Sequence, residues 1–446
     1  MSNPSALAQQ FEQIVGKEHI TDKEDLVARY QVAGVRPSAV VAPGSPDEVT
    51  AVINLGAQAD LVIVPWGGGT MIERGFAPVR YDLALSLSRL REVVDFDVAN
   101  LTVTAQAGLT LAELQGQLRQ AHQFLPLNPP LPTQATIGGV VAANASGPGR
   151  FRYGAARDLV LGMRVALANG QVIHLGGKTV KNVAGYDLSK VFIGSYGTLG
   201  VITEVTFRLL PCPQARRALK ATFEGMDMAL NWAAQVMDSE LLPACLTVMN
   251  PLATQWAFGN DAVAADYTLI VGLDGSAETV ERQVRQMSAS LRSVGACSVT
   301  LLEGAARDSA LDSVRDFVPS ALSDVRATAF TANIPLSATT QFASEVEEAS
   351  VRLGLKLGCV VAADTGTVIC LAEGADEDRL AEVYGQSVVT AAQLGGHCVL
   401  DRAAPELRRR VAVWGEPRDD WKLAKVLKGQ FDPGGLFNRG RFVGGI

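Results

Sequence analysis

Three consecutive glycines, Gly67, Gly68 and Gly69, follow an apolar run and Trp66 and lead into Thr70 and Met71. Glycine permits positive φ and removes the side chain, so successive backbone N–H groups can close on an anion such as a pyrophosphate. An ordinary loop would show the same residues. The loop lacks the Gly-Lys-Ser/Thr of a phosphate-binding P-loop and the GxGxxG spacing of a dinucleotide turn. A second stretch runs from Pro132 and Thr133 through Ile137, Gly138, Gly139, Ala142, Asn144, Ser146 and Gly147, and is built mainly of small residues. Small side chains let a large planar ligand lie against the backbone, although close helix packing also uses them. Arg150, Arg152 and Tyr153 continue it, the arginines suited either to phosphate charge or to solvent. A third stretch places Gly194, Gly197 and Gly200 ahead of Val201 and Ile202, a glycine turn entering a β-branched strand that a turn before an edge strand would equally explain.

The other residue types capable of chemistry are sparse. Cys212, Cys245, Cys297, Cys359, Cys370 and Cys398 are scattered, with no CxxC pair or iron–sulfur run, and read as buried apolar residues in a reducing compartment. The four histidines, His19, His122, His174 and His397, are far apart, so a histidine metal site is not expected. His397, after Gly395-Gly396, and Tyr186, in the polar loop 181–187, are the weak candidates for a catalytic group, and no metal is assigned. A structural histidine is the better reading of His397, and the 181–187 loop fits a substrate mouth or an interface equally well.

Positioning these stretches requires alternating strands and helices in the first 212 residues. Strands are expected at 38–43, 61–65, 82–87 and 101–107, and a capped helix begins at Ser45-Pro46-Asp47-Glu48. Helix 110–123 carries Leu111, Leu114 and Leu118 as its stripe, and Asn169-Gly170 between apolar runs signals a hairpin. Pro211-Cys212-Pro213 punctuates the chain. From there to residue 400 two similar β-α-β-β-α-β cassettes are expected, a ferredoxin-like cap with an antiparallel sheet. The tail 401–446 holds a helix over 421–431, then Asp432-Pro433-Gly434-Gly435, and is expected to return to the first domain.

The totals set further bounds. The chain has 446 residues, a net charge of −7 and 48% hydrophobic residues, which disfavours nucleic-acid binding and suggests more than one domain. No apolar run approaches the roughly 18 residues that a membrane-spanning helix needs. Without a basic segment leading into an apolar core at the start, a cytoplasmic protein is expected, one reaching a membrane only through partner subunits.

Taken in order, residues 42–49, 65–70, 136–147 and 197–203 resemble the successive motifs of the vanillyl-alcohol oxidase/p-cresol methylhydroxylase (PCMH) family of FAD enzymes. The ending 431–441, with Asn438 near its close, is similar to that of the 2-hydroxyacid dehydrogenase branch, and overall the chain resembles the E subunits of bacterial glycolate oxidases. The resemblance implies an α+β fold: a two-subdomain PCMH-type FAD-binding domain at 1–212, the cap at 213–400 and the returning segment at 401–446. It implies that Gly67 to Met71 wrap the pyrophosphate, with Trp66 also at the cofactor, and that the 132–147 residues named above, with Tyr153, line the cofactor channel. Gly200, Val201, Ile202 and Asn438 would complete the site. Covalent members use histidine or cysteine in these stretches; neither occurs at 65–73 or 132–154, so FAD is expected to be non-covalent. Active members also carry an HxxDGNxH-like segment, absent here. That absence suggests an electron-transfer or structural-redox subunit beside a catalytic FAD subunit and an iron–sulfur subunit, acting on a small 2-hydroxyacid. A self-sufficient dehydrogenase and a non-catalytic scaffold are the alternatives.

Overall fold

A computed structural model describes residues 4–178, 186–259, 266–321 and 327–446. They form two compact units: Met1–Ala145 with Ala155–Cys212 and Pro417–Ile446, and Ser146–Gly154 with Pro213–Glu416. The short segment Ser146–Gly154, grouped by sequence with the cofactor stretch, thus packs with the second unit.

The first unit holds two main sheets. In one, strands Ala39–Val41 and Ile63–Trp66 flank Leu83–Ser86 in parallel, and Ile20–Thr21 pairs antiparallel at the edge. Parallel neighbours need a crossover. It is the helix Pro46–Gln58, started by Ser45, whose hydroxyl accepts the Glu48 N–H at 3.1 Å, and buried through Val49, Val52 and Ile53. The second sheet is antiparallel, in the order Val93–Asp97, Thr102–Gln106, Val201–Arg208, Val160–Ala166, Val172–Gly176. Val201–Arg208 is therefore central, not an edge strand, which accounts for its almost continuous burial. Helix Leu111–Gln120 has a reciprocal cap between Thr110 and Glu113 and buries Leu111, Leu114 and Leu118.

The C-terminal segment belongs to this unit through its backbone. Ile63 N–H donates to the Leu436 carbonyl at 2.7 Å, and Asn438 N–H donates to the Ile63 carbonyl at 2.9 Å. The strand that feeds the glycine loop is thereby hydrogen-bonded on its outer side.

The second unit is one antiparallel eight-stranded sheet. Its first half orders Ser298–Leu302, Ala215–Phe223, Tyr267–Gly275, Cys245–Met249; its second orders Lys356–Ala362, Thr367–Glu373, Ala327–Asn333, His397–Arg402. Each half has the connectivity of a ferredoxin-like unit. Strands Cys245–Met249 and Lys356–Ala362 join them, with Thr247 opposite Ala362 and Met249 opposite Val360. Helices Pro251–Phe258, Gly304–Arg315 and Phe317–Ala321 were not anticipated from sequence. They cover an apolar cluster of Met249, Ile270, Phe317, Val360 and Leu371.

Asp364, 5% exposed between two of these strands, accepts the Leu246 N–H at 2.9 Å. Burial pushes its carboxyl up to about 7, against a smaller lowering by that hydrogen bond. A carboxyl raised in the folded state binds protons more tightly there than in the unfolded chain, so its contribution is full below the unfolded value near 3.8 and is lost as pH rises through about 7. Asp364→Asn should therefore gain about 2 kcal/mol over the native chain at alkaline pH and flatten the decline between those values. Urea unfolding across pH measures this; parallel curves for the two proteins would exclude it.

Candidate functional site

Strand Ile63–Trp66 delivers the chain into residues 67–69 with Trp66 9% exposed and its ring 5.0 Å from that of Tyr30. Beyond Trp66 the loop lies backbone against backbone. A Cβ on Gly68 would stand 1.8 Å from the Gln134 carbonyl oxygen, and one on Gly67 would stand 2.2 Å from the Thr136 hydroxyl. Gly69, at φ +71°, completes a turn that side-chain-bearing residues rarely adopt.

The small-residue stretch is the helix Ile137–Ala143, ended by Asn144 at φ 48°. Gly138 presses on Ala107, where a Cβ would lie 2.6 Å from the alanine Cβ, and its N–H donates to the Ala107 carbonyl at 2.8 Å. Gly139 is exposed on the free side, a Cβ there meeting only the Thr136 hydroxyl at 3.2 Å. The third stretch is tied to the same helix: Gly194 N–H donates to the Val141 carbonyl at 3.1 Å and Tyr196 N–H to that of Ala142 at 2.8 Å. Gly194, Tyr196 and Gly197 all have positive φ, and Gly200 lies where a Cβ would strike the Val165 side chain at 2.7 Å.

These walls line a half-open cleft. Trp66, Gly67, Gly68, Gly69, Thr70, Met71, Gly138, Gly139, Ala142, Gly200, Val201 and Ile202 line it, as the sequence expectation placed them together. Pro65, Ile72, Leu87, Ala143, Tyr196 and Gly197 line it too. Most of these are flanking positions of the same motifs; Leu87 carried no sequence signal. Pro132, Thr133, Ile137 and Asn144 stand outside the lining. Ile137 is buried in the core, and Asn144 accepts the Arg157 N–H at 3.1 Å. Ser146, Gly147 and Tyr153 belong to the second unit, where the Tyr153 hydroxyl donates to Asp274 at 2.9 Å and burial raises the phenol's pKa. Asn438 stands behind the wall rather than in it, its amide donating to the Tyr196 carbonyl at 2.8 Å.

The lining suits FAD. The Thr136 hydroxyl is buried and has no hydrogen-bond partner among the described residues, beside a glycine cradle that side chains would fill. A buried hydroxyl left in that state favours a polar ligand group. Among the described residues, no histidine or cysteine lines the cavity. His397 opens the edge strand of the second unit, its Nε2 3.4 Å from the Asn333 amide nitrogen, and Tyr186 is 97% exposed. Residues 181–185 of the polar loop lie outside the described residues. Among the described residues, no group of three or more His, Cys, Asp or Glu side chains is arranged to hold a metal ion.

A glycine-walled cleft in one unit and an antiparallel sheet in the other are the two parts of a flavin-dependent oxidoreductase. The FAD binding domain model matches residues 37–176, and the model for the C-terminal domain of FAD linked oxidases matches 212–442. The chain belongs to the FAD-linked oxidases. It is similar to glycolate oxidase subunit GlcD of Bacillus subtilis (strain 168), 28% identical over 97% of this chain and 96% of that protein. It matches glycolate oxidase subunit GlcE of Escherichia coli (strain K12) at 41% identity, over 32% of this chain and 43% of that one. The structure of p-cresol methylhydroxylase with substrate bound shares the fold, with a TM-score of 0.80 at 17% identity, covering 98% of this chain and 96% of that one.

Two expectations are corrected by these findings. The E-subunit kinship gives way to a GlcD-like one, because the likeness to GlcD runs the length of both proteins and that to GlcE covers a third of this chain. The motifs that suggested an E subunit lie at 36–210 and in the tail, so they could not weigh the second unit. The secondary electron-transfer or structural role falls with it: one missing histidine pattern is outweighed by a full-length match.

The geometry separates two glycines. Gly68→Ala should yield a chain that fails to fold or is markedly destabilised, since the clash is with backbone. Gly139→Ala should keep the fold and thermal midpoint of the FAD-free chain but weaken FAD at least about tenfold, or about 1.4 kcal/mol, by narrowing the cavity. Thermal unfolding reads the first and titration of the deflavinated Gly139→Ala chain with FAD the second, and wild-type affinity in Gly139→Ala would contradict the placement of the cofactor.

Proposed function

We propose that this chain is the substrate-oxidising FAD subunit of a 2-hydroxyacid dehydrogenase or oxidase. The observation that carries the reading is the likeness to a glycolate oxidase subunit across both the FAD-binding unit and the antiparallel-sheet unit. When bound, FAD supplies the two-electron acceptor for oxidation of the hydroxyl-bearing carbon to a ketone or aldehyde. The protein's part is to hold and shield it. In this reading residues 67–71 take the pyrophosphate. Gly138, Gly139 and Ala142 admit the planar portion, and the apolar side chains of Ile72, Leu87, Val201 and Ile202 exclude water. The cofactor is non-covalent in this reading, supported by a lining that, among the described residues, contains no histidine or cysteine.

The reading extends to a multi-subunit assembly, supported by both matched relatives being named as subunits. An iron–sulfur chain, for which the scattered cysteines here provide no equivalent, is its proposed electron acceptor.

Purified chain carrying FAD should bleach anaerobically on addition of glycolate or D-lactate without any partner, and L-lactate should act as the stereochemical control. Flavin absorbance followed by stopped flow makes the measurement. Bleaching that requires added partner subunits would overturn the assignment of substrate oxidation to this chain.

A further inference from the structure

The polar side chains of the C-terminal segment are directed at the backbone of two cavity walls. On the third stretch, the Asn438 amide donates to the Tyr196 carbonyl at 2.8 Å and lies 3.4 Å from that of Gly197. The Lys428 ammonium donates to the next carbonyl, Thr198, at 2.7 Å. On the glycine-loop side, the Arg441 guanidinium donates to the carbonyls of Ile72 and Phe76, and the Arg441 carbonyl accepts the Phe76 N–H at 3.0 Å. Arg441 and Asn438 are joined at 3.0 Å, so one residue pair bridges the two walls from behind.

Peptide geometry gives these contacts an effect inside the cavity. In a trans peptide the C=O and N–H point to opposite sides. Drawing the Tyr196 carbonyl toward Asn438 turns the Gly197 N–H the other way, and Gly197 lines the cavity. That N–H has no acceptor among the described residues. Tyr196 and Gly197 hold positive φ of 53° and 64°, a conformation that needs such an external restraint at the tyrosine.

We infer that Asn438, with Arg441 and Lys428, is a positioning residue that sets the Gly197 N–H and the glycine loop for FAD, so that cofactor loading and docking of the C-terminal segment are thermodynamically coupled. This rests on FAD occupying the glycine-walled cavity. Coupling of that kind is reciprocal: a tail that favours FAD must itself be held more firmly when FAD is bound.

The test uses the full-length chain in three arms. Asn438→Gly tolerates the φ of 46° at this position while deleting the amide, and should raise the FAD Kd about tenfold in fluorescence titrations. In the unsubstituted chain, FAD should slow tryptic cleavage at Arg439 and Arg441, a protection that a purely structural tail would not show. An unchanged Kd in Asn438→Gly, or equal cleavage rates with and without FAD, would overturn the inference. Gly139→Ala serves as the control for the cavity: if it binds FAD normally, the location of the cofactor is wrong and the coupling fails with it. If it loses FAD while Asn438→Gly does not, only the coupling fails.

Discussion

The first unit depends on one constraint: the loop after strand Ile63–Trp66 lies so close to the chain at 134–136 that it has no room for a side chain of its own at Gly67 or Gly68. The Gln134 carbonyl occupies the place of a Gly68 Cβ. Everything that makes a cavity depends on that approach. The Thr136 hydroxyl is trapped without a partner among the described residues, Gly139 is left exposed, and the helix Ile137–Ala143 becomes a fixed wall to which the Tyr196 turn is then hydrogen-bonded. Close packing of small residues, which the sequence offered as a rival to ligand binding, turns out to be the means by which the ligand space is built.

Much of this was legible because the relevant signals are local. Ser45-Pro46 and Thr110 with Glu113 cap helices through contacts three residues long, and both helices start where those residues place them. The two cassettes of the second unit were legible for the same reason, since each strand and helix carries its own periodicity. The glycine stretches marked most of the lining. What sequence left hidden is long-range. Leu87 reaches the cavity because it follows strand Leu83–Ser86, which lies beside Ile63–Trp66, and Asn438 stands behind the wall because the tail pairs with Ile63. The helices Pro251–Phe258 and Gly304–Arg315 sit where the cassette pattern shows only connections. The choice between subunit types was illegible in motifs because those motifs report cofactor binding, whereas the distinguishing likeness extends through the sheet unit.

The tail carries an internal charge pair that gives it a single shape. The Lys428 ammonium, 8% exposed, reaches the Asp432 carboxylate at 2.6 Å and two backbone carbonyls at 2.7 Å each, which satisfies all three of its donors. Burial lowers the lysine pKa and Asp432 opposes that shift. The carboxylate also accepts the N–H groups of Leu436 and Phe437 at 2.8 Å each, folding the turn back on its helix. A buried pair so fully bonded is weak evidence for net stability but specifies geometry, and here the geometry presents Asn438 and Arg441 to the cavity walls.

The return of residues 417–446 to the first unit has a consequence for biogenesis. A growing polypeptide leaves the ribosome from its N-terminus, and the strand Ile63–Trp66 finds its outer hydrogen-bonding neighbours only in residues made some 370 positions later, Leu436 and Asn438. The second unit, nearly contiguous from Pro213 to Glu416, can be complete first, while the flavin half waits with an open edge until synthesis has passed residue 441. Translation order therefore makes the cofactor-bearing half the last to close.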